Sequence, residues 1–112
     1  MTGAPTLDAY VTEDRANACI WCAHCVRWHR HGHVDPTTAE LGAGNGHRAA
    51  HCHDPASPYD DRGYYIREVA WWPDRPHWGE LPVICRGCRQ PFRRNRHQRR
   101  WCYDCSPPRR LL

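Results

Sequence analysis

The chain has no lysine, and all sixteen of its basic residues are arginine. It is also poor in the residues that usually fill a core. There is one phenylalanine, Phe92, and one methionine, Met1, and the leucines, isoleucines and valines are scattered. No run approaches the roughly 18 apolar residues of a membrane helix, which argues against a membrane partner. No helical-period stripe is long enough for a bundle, and ten prolines and eight glycines break the chain often. Met1 to Val11 carries neither a basic start nor an apolar stretch. No secretory leader is therefore expected, and a reducing, cytoplasmic compartment is. The missing lysine is what a GC-rich genome would also produce, so it has no functional weight.

In place of aliphatic residues the chain has six tryptophans, nine histidines and eight cysteines. Its 112 residues make one small domain or two very small ones. Domains below about 40 residues rarely hold together by apolar burial alone and use metal, disulfides or association instead. The cysteines are Cys19, Cys22, Cys25, Cys52, Cys85, Cys88, Cys102 and Cys105. A disulfide scaffold belongs to secreted chains; in a reducing compartment, C-x-x-C pairs beside many histidines point to zinc. Two structural zinc ions are the expected cofactors.

The clearer site is C-terminal. Cys85-x-x-Cys88 and Cys102-x-x-Cys105 are separated by thirteen residues. Tetrahedral zinc takes four thiolate or imidazole ligands, and two C-x-x-C turns supply them. Gly87 suits the tight first turn. Between the pairs lie Arg93, Arg94, Arg96, Arg99 and Arg100, five arginines in eight residues, beside Trp101 and Tyr103. Arginine pairs with phosphate in a bidentate way and stacks on bases, so these five residues are the expected nucleic-acid contacts. The bland alternative is a solvated loop. Charge is concentrated here: residues 83–112 hold nine arginines against one acid, a net of +8, while residues 1–82 hold seven against eleven, a net of −4. The Cys85–Cys105 pattern, with Phe92 four residues beyond Cys88, resembles the treble-clef or ribbon-like zinc fingers of bacterial and phage proteins. It departs from them where Arg89 replaces a common Gly and in the spacing of the final pair. The resemblance implies a zinc module, with Phe92 packed under the metal and a short helix at the second pair.

The first module is denser. Cys19, Cys22 and Cys25 form overlapping pairs, and seven histidines (His24, His29, His31, His33, His47, His51 and His53) fall nearby. His47 and Cys52 have the spacing of the last two ligands of a zinc knuckle, and Cys22 and Cys25 would complete a Cys₃His site. Cys22-x-x-Cys25, His29-Arg30-His31-Gly32 and Gly46-His47-Arg48-Ala49-Ala50-His51-Cys52 also resemble a module of small uncharacterised actinobacterial and actinophage proteins. That resemblance implies Cys22, Cys25 and Cys52 as ligands and leaves Cys19 as an extra. His47 is the histidine assigned here, with His51, His31 and His29 as alternatives.

The expected fold class is a small metal-stabilised α+β protein with short strands and one or two short helices. A polar lead-in, residues 1–18, has a short helix near Asp14–Ala18. A Cys/His module, 19–70, contains a loop over Pro36–Gly46 and a strand at Tyr64–Val69 after a turn at Asp60–Gly63. A Pro/Trp connector, 71–82, precedes the Cys₄ finger, 83–105, and a Pro/Arg tail, 106–112. No H-E-x-x-H or deaminase pattern is present. His97 and Asn95 lie in too short a span for the ββα unit of an HNH nuclease. The expectation is a non-enzymatic zinc protein that binds nucleic acid, without a small-molecule substrate; the alternative is an adaptor that meets a protein partner through Trp71, Trp72 and Trp78.

Overall fold

Leu7, Ala9 and Val11 recur at every second position, the period of a strand with one buried face. The chain is extended there in the computed structural model, which describes residues 4–32, 40–52, 57–59, 62–93, 100–102 and 104–105. Two units form, Met1–Arg75 and Pro76–Leu112.

The first unit is a five-stranded sheet. Its strands are β1 (Thr6–Val11), β2 (Asn17–Cys22), β3 (Arg27–Gly32), β4 (Gly46–Arg48) and β5 (Tyr64–Trp71), in the order β3-β2-β1-β5-β4. Neighbours run antiparallel except β1 and β5, which pair in parallel with Leu7 opposite Ile66 and a bulge between Ala9 and Tyr10. The helix expected at Asp14–Ala18 is a turn followed by β2. Arg15 takes a positive φ of 62°, outside the helical region. The Asp14 carboxylate accepts from the Thr12 hydroxyl at 2.6 Å and the Ala16 N–H at 2.9 Å. Such local bonding is how aspartate competes with helix.

Cross-strand partners share a face, which sorts the sheet. Ala9, Ala18, Ile20, Cys22, Tyr64 and Ile66 are buried in one cluster with Cys52. On the opposite face Trp28 makes edge contacts with Tyr10, Trp21 and Trp72, and the Arg75 guanidinium lies 3.9 Å from the centre of the Trp72 ring. Tyr10, Trp21, Trp28 and Trp72 thus lie outside this cluster, more than half of whose members are Ala or Cys.

The strand expected at Tyr64–Val69 is present and runs on to Trp71. Gly63 opens it with φ 66°, and a Cβ there would stand 2.2 Å from the Arg48 carbonyl oxygen, so only glycine fits. Of the expected loop, residues 40–46 are described. The Glu68 carboxylate accepts the Gly42 N–H at 2.8 Å, and the Glu68 N–H donates to Asn45 Oδ1 at 2.7 Å. These bonds hold the turn against β5, and the loop ends one residue early because Gly46 already belongs to β4.

The second unit holds β6 (Pro82–Ile84) and β7 (Pro91–Arg93), paired antiparallel with Val83 opposite Phe92. Leu81, Val83 and Cys85 are its buried residues among those described. Segment 71–82 contains two three-residue 3₁₀ turns, Trp72–Asp74 and Trp78–Glu80. No α-helix occurs among the described residues. The α component of the expected α+β class is accordingly missing there: positions of regular structure alternate with a two-residue period, and prolines and knuckle turns separate them. No helix among these residues is long and apolar enough to cross a membrane.

Candidate metal centres

Cys22-x-x-Cys25 and Cys85-x-x-Cys88 build the same turn. In the first, Cys22 ends β2 and the chain reverses through Val26 into β3. The Val26 N–H donates to the Cys22 carbonyl at 2.8 Å, and the Cys25 N–H to the Cys22 Sγ at 3.3 Å. In the second, the Arg89 N–H donates to the Cys85 carbonyl at 3.0 Å, and the Cys88 N–H to the Cys85 Sγ at 3.5 Å. The residue after each pair is left-handed, Val26 at φ 58° and Arg89 at φ 64°. Neither is glycine, and positive φ is a genuine outlier for a β-branched residue such as Val26. Strain of this kind persists where surrounding structure demands it and marks functional sites.

Cys22, Cys25, His29 and Cys52 can hold one metal ion; their ligand atoms lie within 4.8 Å of one another. Cys22 and Cys52 Sγ are 3.3 Å apart, Cys25 and Cys52 Sγ 3.3 Å, and Cys52 Sγ and His29 Nε2 3.6 Å. These are close to the edges of a tetrahedron about a metal with sulfur bonds of about 2.3 Å, which come to about 3.8 Å. They are far longer than a disulfide bond of about 2.05 Å. Burial pushes the Cys22 and Cys25 thiols up. A cation held at the centre would supply the positive charge that lets buried thiolates share the space.

The histidine that lies with these cysteines is His29, one of the expected alternatives, and not His47. β4 pairs His47 with Tyr65, which is exposed, so His47 shares the outer face. There it hydrogen-bonds the Arg62 carbonyl at 2.6 Å and packs edge-on against Tyr65. His29, on β3 opposite the fully buried Ile20, faces inward. His31 is also buried, hydrogen-bonded to the Tyr64 hydroxyl and 4.3 Å ring to ring from His51. Burial, with His51, Arg48 and His29 nearby, pulls its pKa down to about 4, so the ring stays neutral at ordinary pH. Cys19 is buried but belongs to the opposite face, paired across from Arg30, and lies outside the group that could hold the ion.

The second centre gathers Cys85, Cys88, Cys102 and Cys105 within the same limit. Cys88 and Cys102 Sγ are 3.8 Å apart. Cys85 is fully buried, which opposes its ionisation. Its sulfur nevertheless accepts N–H groups from Cys102 at 3.2 Å, Gly87 at 3.3 Å and Cys88. These donors bring its pKa down to about 6. Cys105, beside Cys85 and Cys102, is pushed up to about 12. Unlike the first centre, this one has candidate ligands at the surface, since Cys88 and Cys105 are exposed. A Cβ on Gly87 would stand 2.8 Å from Cys105 Sγ. The glycine therefore makes room for a ligand as well as for a turn.

Of the five arginines expected at the nucleic-acid surface, Arg93 is exposed on β7 and Arg100 is partly buried, while Arg94, Arg96 and Arg99 lie outside the described residues. The tail, 106–112, lies outside them as well. Arg100 joins Arg86, Arg89 and Trp101 around an open hollow of about 460 Å³. Arg86 and Arg89 were not among the expected contacts. The signal was present in Cys85-Arg86-Gly87-Cys88-Arg89, where a knuckle must display the residues it does not use for metal. Comparison with protein-family models, with curated proteins and with solved structures found no match for this chain.

Proposed function

We propose that the chain is a non-enzymatic protein with two structural zinc ions, working in a reducing compartment, whose C-terminal centre presents arginine to nucleic acid. The donor sets support zinc. Three thiols with an imidazole, and four thiols, are the ligand combinations of closed structural zinc sites. Native mass spectrometry should find two zinc ions per chain. One ion alone would remove one of the centres, and intact disulfides would remove both.

The observation that carries nucleic-acid binding is the grouping of Arg86, Arg89, Arg100 and an exposed Trp101 on one metal-held element. Phosphate attraction of this kind weakens with salt, by about 0.9 in log K per log[salt] for each phosphate neutralised on duplex DNA and about 0.7 on single strands. Three to five contacts give a slope of roughly −2 to −4.5. Replacing Arg86 and Arg100 with Ala should flatten the slope by about two contacts' worth without releasing metal. Absence of binding at low salt, with both centres loaded, would overturn the reading. That outcome would put forward a second one, a protein-binding role for the outer face that carries Tyr10, Trp21, Trp28 and Trp72.

A further inference from the structure

We infer that the nucleic acid taken by the second centre is single-stranded, with an unpaired base laid on the Trp101 ring and its flanking phosphates on Arg86, Arg89 and Arg100. This deepens the nucleic-acid reading above and rests on it.

The argument begins with how Trp101 is held. The Arg86 N–H donates to the Arg100 carbonyl at 2.7 Å, and the Cys102 N–H to the Cys85 Sγ at 3.2 Å. Residues 100–102 are thus bonded to the first knuckle on both sides of Trp101. The Trp101 Cδ1 edge lies close to Gly87, 3.5 Å from where a Cβ would be. With its edge placed and its neighbours pinned, the side chain still leaves 46% of its surface to solvent. The half-exposed indole stands beside Arg86, Arg89 and Arg100 at the same hollow. This is the arrangement of a stacking platform, where every base offers a π-face and arginines track the backbone.

Shape then separates the two forms of nucleic acid. Base faces in a duplex are covered by their neighbours, and a duplex is read by inserting a helix or a β-ribbon into a groove. Among the described residues of this unit there is no α-helix, and its only ribbon, β6–β7, has three residues on each strand. What the unit presents instead is an open hollow lined by Trp101 and three arginines. Its volume, about 460 Å³, falls in the range of ordinary ligand sites, about 300–1,000 Å³. A concavity of that size receives one base and its phosphates, where a duplex would meet only the rim.

The test titrates the full, metal-loaded chain with a labelled short oligothymidylate and with a blunt duplex of equal length at low salt. The single strand should bind more tightly. Trp101→Ala should weaken single-strand binding by about 5- to 150-fold, the effect of losing one aromatic–base stack, and weaken duplex binding by a smaller factor. Trp101→Phe should retain most of the affinity. Trp101→Leu keeps an apolar side chain against Gly87 without an aromatic face, so it should behave as Ala does even if the alanine variant loses metal. Duplex binding equal to or tighter than single-strand binding, or a leucine variant that binds the single strand normally, would overturn this inference while the nucleic-acid reading stands. No binding to either probe would overturn both.

Discussion

His29 and His47 occupy one sheet and differ in the face they present. The register that puts His29 opposite Ile20 turns it toward Cys22, Cys25 and Cys52, and the register that puts His47 opposite Tyr65 turns it away. His29→Ala should therefore release the metal of the first centre, and His47→Ala should leave it bound, as counted by native mass spectrometry. Retention in the first variant with loss in the second would reverse the ligand assignment. Sequence spacing alone led to His47, because its distance from Cys52 imitates a knuckle. The signal that selects His29 is a two-residue alternation in Trp28-His29-Arg30-His31, and it has meaning only once β3 is known to fold back on β2. Gly87 was legible as a turn residue, but its closeness to Cys105 was not, since that contact spans eighteen positions of sequence. Gly87→Ala should lower metal affinity at the second centre by roughly 10- to 100-fold, as loss of a supporting group does elsewhere, and leave the first centre intact. A chelator titration of this variant and the parent measures this.

At the scale of elements, the paired knuckles carry matching strain. An L-residue in the left-handed region costs about 1–2 kcal/mol, and glycine there gives back about 0.5–1 kcal/mol through its freer unfolded state. Arg89→Gly should then raise the stability of the metal-loaded chain by roughly 0.5–1 kcal/mol, seen as a higher thermal midpoint, while weakening nucleic-acid binding by one contact. A lower midpoint would show that the arginine side chain outweighs the strain. The β1–β2 turn makes a pH-dependent prediction. Hydrogen bonds from Thr12 and Ala16 hold the Asp14 pKa below its usual value. A carboxylate depressed in the folded state adds stability above its unfolded pKa, about 3.9, and loses it as pH falls through the folded value. The parent should thus be more stable than Asp14→Ala at neutral pH, and the gap should close on acidification below about pH 4. An unchanging gap would mean that the turn acts without its charge. The same turn explains what the sequence hid: Asp14 to Ala18 has acceptable helix formers, and the local bonds of Asp14 outweigh them. β5 was legible because Tyr64, Ile66 and Val69 are strong strand residues. β1 was obscured because Leu7, Ala9 and Val11 alternate with polar residues in a stretch that reads as a polar lead-in, and β2 and β3 because Cys22, His29 and His31 at their inward positions read as metal chemistry.

On the scale of the whole molecule, cysteine spacing pointed to two clusters that could hold metal before any fold was visible, and each structural unit contains one. The path of the sheet was hidden, since nothing local in β1 announces that its partner is β5. That parallel pairing has a kinetic consequence. Leu7 and Ile66 meet across a separation of 59 residues, and Cys22 and Cys52, within that span, are 30 apart. A metal that joins the cysteines first roughly halves the loop that the pairing must close. Halving a loop lowers its closure entropy by only about 0.6 kcal/mol, near a threefold gain in rate. Bound structural zinc contributes roughly 10–16 kcal/mol of apparent free energy in small domains, so most of its effect here must fall on the reverse step. Stopped-flow measurements with and without metal should show refolding changed by about threefold and unfolding slowed by orders of magnitude. In that case the first centre acts as a latch on a sheet already assembled, and the lifetime of the fold is set by how long the metal stays.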